Sequence, residues 1–176
     1  MGTSTDSIFF WYDCFVIDEH ASQSLTQDWW KTTFTECIAR IGHTVMVLSP
    51  WSAPIPLTRA WCLWEIYSTV KTARDFDVAL GPAARREFEE ALLQRPEDTI
   101  RMFNIDVSKA QAGSKDDLEM ILSTVESVVG GCAAVDRVVR TTLVRWVTRV
   151  TEELFEQRGR ANPEQVLRMA YFFAEA

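Results

Sequence analysis

At 176 residues the chain has the length of one domain with room for a sizeable core. Its 47% hydrophobic and 24% charged content is ordinary for a globular protein. A net charge of −7 argues against a general nucleic-acid or anionic-membrane binder, because either needs a basic face.

In chain order, residues 8–17 form a near-continuous apolar run ending in Asp18, Glu19 and His20, and read as a buried strand. A helix is predicted over 25–41, with Trp30, Phe34, Cys37, Ile38 and Ile41 on its apolar face and Gly42 as its stop. A second buried strand is predicted over 44–48. Pro54 and Pro56 hold the next loop extended, and Thr58 is expected to cap a helix running to about 74. A third, weaker strand is predicted over 76–80. Pro82 suits the first turn of the helix that follows, with Phe88, Leu92 and Leu93 inward. Residues 101–107, centred on Met102, Phe103 and Ile105, read as a fourth strand. Ser114 caps a helix with Asp116 and Asp117 in its first turn. After Gly130 and Gly131 comes a long amphipathic helix over about 133–157, with Val135, Val139, Leu143, Trp146, Val150 and Leu154 in its stripe. Asn162 and Pro163 open a last helix carrying Val166, Leu167 and Phe172.

Strand–helix units in succession predict an α/β domain: a parallel sheet of four to five strands with helices on both faces, plus C-terminal amphipathic helices. The expected division is an α/β domain over 1–130 and a helical extension over 131–176. That extension packs on the domain or leads into downstream repeats. Ligands of such sheets gather beyond the carboxyl ends of the strands. Those ends would deliver Asp18, Glu19 and His20, then Ser49, Pro50 and Trp51, then Gly81, and lastly Asp106.

Glu65 is the residue that most needs an explanation. Between Arg59 and Lys71 it is the only charged side chain, among Trp61, Cys62, Trp64 and Ile66. A carboxylate buried among aromatics costs several kcal/mol unless it is bonded or its pKa rises. It is therefore either a structural group, bonded to a hydroxyl such as Ser49 or to backbone N–H groups, or a working one. Asp18, Glu19 and His20 are ligand contacts or a polar strand exit. The tryptophans are core or a stacking surface, with Trp51 expected to be exposed near the site. Arg137, Arg140, Arg145 and Arg149 read as a solvated flank.

The four cysteines are scattered without zinc spacing, and the two histidines stand far apart, so no metal site is expected. The cysteines read as buried free thiols of a reducing compartment, and Cys62 as an inert packed one. No apolar run approaches the ~20 residues that span a bilayer, and Met1 to Ser7 has no basic stretch of a secretory signal. A cytoplasmic location is expected.

Ser49, Pro50 and Trp51, followed by Trp61, Cys62, Leu63, Trp64, Glu65 and Ile66, resemble the TIR (Toll/interleukin-1 receptor/resistance protein) domain. The piece from Pro54 through Tyr67, with Ile41, Gly42, His43 and Thr44, is similar to TIR-like domains placed before tetratricopeptide or kinesin-light-chain-like repeats. The likeness covers about 8–80 well and the rest loosely. It implies a flavodoxin-like fold in which residues 8–17 correspond to the family's second strand. The family's first strand is then expected to be missing, and the sheet open beside that run.

The resemblance implies homotypic assembly, with itself or with other TIR-like domains, as a signalling module. It also implies, for a subset of the family, cleavage of the nicotinamide–ribose bond of NAD+. The catalytic residue would be Glu65, with Ser49, Trp51, Trp61, Asp18 and His20 lining the site. NAD+ would be a substrate, and no cofactor is expected. A third reading is a structural cap for a repeat array, using the amphipathic helix over 133–157.

Overall fold

The computed structural model describes residues 10–12 and 27–158. In chain order the elements are α1 (Gln27–Ile41), β1 (His43–Val47), a 3-10 turn (Ile55–Thr58), α2 (Ala60–Lys71) and β2 (Asp75–Ala79). Then follow α3 (Pro82–Gln94), α4 (Pro96–Arg101), a second 3-10 turn (Val107–Lys109), α5 (Lys115–Thr124), a π turn (Val125–Val129) and α6 (Cys132–Arg158).

Over the described residues the architecture is mostly helical around one parallel strand pair, β1–β2. This corrects the expected flavodoxin-like sheet of four to five strands with helices on both faces. Of the predicted strands, 44–48 and 76–80 form, each starting one residue earlier, with Val45 opposite Asp77 and Val47 opposite Ala79. The apolar run over 8–17 lies largely outside the described residues. Its described part, Phe10, Trp11 and Tyr12, is exposed and not in a strand. The last predicted helix lies wholly outside them, as do Asp18 and His20.

The fourth predicted strand is absent for a visible reason. Pro96 opens a helix with Glu97 and Asp98 in its first turn and Arg101 in its last, which suits the helix dipole. The period-two alternation beyond it is real: Phe103, Ile105 and Val107 are buried, and Asn104 and Ser108 are exposed. Among the described residues no strand lies alongside, however. The Val107 N–H, which a ladder would have used, donates to Asp136 Oδ1 on α6 at 2.9 Å. A side chain replaces the neighbouring strand. Further on, a single isolated bridge forms among the described residues, between Arg59 and Gln111.

Gly42, at φ +84°, ends α1 in the left-handed conformation that glycine takes without strain, and its N–H returns to the Ile38 carbonyl at 3.0 Å. Ser114 caps α5 as predicted, its Oγ accepting from the Asp117 N–H at 3.1 Å. Thr58 does not cap α2. Its hydroxyl donates back to the Ile55 carbonyl at 2.8 Å, and Arg59 stands at the cap without a side-chain bond.

The core joins α2, α3, α5 and α6 with the inner side of the strand pair. Phe88 of α3 meets Trp146 of α6 at 5.1 Å between ring centroids. Val135, Val139, Leu143, Val147, Val150 and Leu154 bury the stripe of α6 in that core. Each such side chain contributes about 1.5–3 kcal/mol of burial. The long helix is thus part of the same core as the strand pair.

Candidate functional site

α2 positions the residues that the motif singled out. It crosses over the strand pair, where Thr44 Oγ1 of β1 and Thr69 Oγ1 of α2 share a 2.7 Å hydrogen bond. Thr69 Oγ1 also donates to the Glu65 carbonyl at 2.7 Å. Leu63, Trp64, Ile66 and Tyr67 are buried, and Trp64 stacks on Tyr67 at 5.6 Å.

Trp61, Cys62 and Glu65 are half-buried. Trp61 lies against Phe34 of α1 at 5.5 Å, and its indole N–H donates to Asp117 Oδ2 of α5 at 3.4 Å. Glu65 stands four residues on, one turn along the same side of the helix. Its side chain is neither on open surface nor sealed in the interior.

Trp51 belongs to a different neighbourhood. It is half-buried, where exposure was expected, with its ring edge-on to Phe88 at 5.7 Å and its indole N–H donating to Glu87 Oε2 at 3.2 Å. Ser49 is exposed just after β1. Trp51 therefore rests on α3, and Trp61 on α1 and α5. Glu87 and Asp117 carried no signal in the sequence, because each is an ordinary charged position on an amphipathic helix.

A surface that the sequence did not announce lies on β1. Residues 44–48 read as a buried strand, but burial alternates. Met46 and Leu48 are buried, while Val45 is 45% and Val47 60% exposed, with Ile41 50% exposed at the end of α1. Among the described residues β1 pairs only with β2. On the same side, Asp77 of β2 accepts from Arg149 of α6 at 2.8 Å and meets His43 Nε2 at 3.1 Å. These pairs are largely exposed and worth at most about 1 kcal/mol each.

A third polar cluster surrounds the start of α6. Burial pushes the Asp136 carboxyl above its ordinary value, and the Val107 N–H bond opposes the shift. Bonds from Lys109 and Ser108 hold Asp106 below the ordinary carboxylate range. Burial, then Glu126, raises the Cys132 thiol, so it is a poor thiolate and a poor nucleophile. The sequence expectation of buried cysteines is not met among the described residues: Cys37 is exposed and Cys62 and Cys132 are half-buried, although all three are free thiols as expected. Arg137, Arg140, Arg145 and Arg149 are exposed, as a solvated flank requires. Asp106 precedes a 3-10 turn instead of ending a strand.

Among the described residues no group of three or more His, Cys, Asp or Glu side chains could hold a metal ion. No single helix among them is long and apolar enough to cross a membrane. No family model, no curated protein and no solved structure matches the chain.

Proposed function

We propose that the chain is a TIR-like signalling module of the cytoplasm that acts by assembly with copies of itself or with other TIR-like domains. The motif around Trp61, Cys62 and Glu65 supports the kinship. The observation that carries an assembly role is the apolar surface on β1, where Ile41, Val45 and Val47 are each at least 45% exposed. Apolar groups on a strand that has no second neighbour among the described residues favour association, and the only ionisable side chain on His43–Val47 itself, His43, is already paired with Asp77.

The test is sedimentation velocity across a wide concentration range, comparing the wild type with Val45→Lys/Val47→Lys. Both positions face outward, so the fold should survive, as circular dichroism will verify. The expected result is concentration-dependent association that the two lysines weaken tenfold or more, about 1.4 kcal/mol. A wild type that stays monomeric throughout overturns the assembly role. Association that ignores the substitutions removes β1 from it.

A second reading is favoured by one feature, the half-buried Glu65, the sole acidic residue of α2, one helical turn from half-buried Trp61. In that reading the bond from ribose C1′ to the nicotinamide nitrogen breaks, and nicotinamide leaves with the bonding pair. The carboxylate stabilises the positive charge left on the sugar, and water completes the product with loss of a proton. Ser49, Trp51, Trp61, Asp18 and His20 would line the substrate, which would then have to reach from Trp61, against α1 and α5, to Trp51, on α3; Asp18 and His20 lie outside the described residues. Nicotinamide release from NAD+ by the wild type, lost in Glu65→Gln without loss of fold, is the expected result. Absence of turnover at concentrations where the protein assembles ends this reading.

The cap reading finds less support. The stripe of α6 is buried within this chain, so a cap would have to use the helix's opposite, arginine-bearing face.

A further inference from the structure

We draw no further inference here: the strongest candidate, the open edge and outer face of β1 with exposed Ile41, Val45 and Val47, already belongs to the assembly reading, and nothing in the structure shows what covers it.

Discussion

Asp136 serves the Val107 N–H in place of a neighbouring strand, and its removal should show it. Val107 is 1% exposed, and its N–H is directed at Asp136 Oδ1. Asp136→Ala leaves that buried donor without its acceptor, which costs about 1–3 kcal/mol. For a chain of this size the loss lowers the melting temperature by roughly 2–4 °C per kcal/mol. Asp136→Asn keeps an oxygen acceptor and removes a charge that burial disfavours, so it should stay near the wild type at neutral pH. The pH dependence has a defined sign. Asp136 is raised in the folded state, so its ionised form costs stability as pH climbs from the ordinary aspartate value through the folded one. Asp106 is lowered, so its support is present above the ordinary value and lost as pH falls through the folded one. Stability of Asp136→Asn should therefore hold up better than that of the wild type as pH rises through the acidic range. Thermal and urea denaturation of the three proteins between acidic and neutral pH will measure it. Equal damage from Asn and Ala, or a cost below about 0.5 kcal/mol for Ala, would refute the role assigned to this bond.

Two further outcomes follow from buried or shielded polar groups. Ser68 Oγ is buried on α2 without a hydrogen-bond partner among the described residues, so Ser68→Ala should raise stability by up to about 1 kcal/mol in urea denaturation; a loss of stability would mean that the hydroxyl is satisfied in solution. Cys132 should alkylate with iodoacetamide several-fold more slowly than exposed Cys37 at neutral pH, and Glu126→Gln should speed it, as peptide mass spectrometry will record; equal rates at the two sites would contradict the raised thiol.

The local elements were legible because their signals are local. Gly42, Ser114 and the Gly130–Gly131 pair punctuate α1, α5 and α6: α1 ends at Ile41 as read, α5 follows its Ser114 cap, and α6 starts one residue before the reading. Sheet size was not legible, because an alternating apolar segment fixes extended backbone and burial but not a neighbour. Residues 103–107 have that alternation and take their backbone partner from a helix side chain. The same ambiguity concealed the outer surface of β1. His43–Val47 contains three apolar residues in a row, which reads as buried on both sides, but no described element covers Val45 and Val47. At the candidate site, the turn-by-turn spacing of Trp61 and Glu65 was readable. The docking of Trp51 on α3 was not, since Glu87 and Phe88 are remote in sequence.

The two functional readings use opposite sides of the same strand. Thr44 and Met46 point toward α2, through the Thr44–Thr69 bond, while Val45 and Val47 point away from it. α2 is held from several directions, by Phe34 and Asp117 at Trp61, by the strand pair at Thr69, and by Gln111 at the Ala60 N–H, 2.8 Å away. A helix so constrained can keep a carboxylate in one orientation, which bond cleavage at a sugar carbon requires. The outer face of β1 has no such cover among the described residues, which suits reversible contact. Lysines at Val45 and Val47 should then weaken assembly tenfold or more without disturbing Glu65, whereas Glu65→Gln should leave assembly intact. If instead the lysine variant loses nicotinamide release along with association, the two roles are coupled, and turnover depends on neighbouring copies and not on the isolated chain.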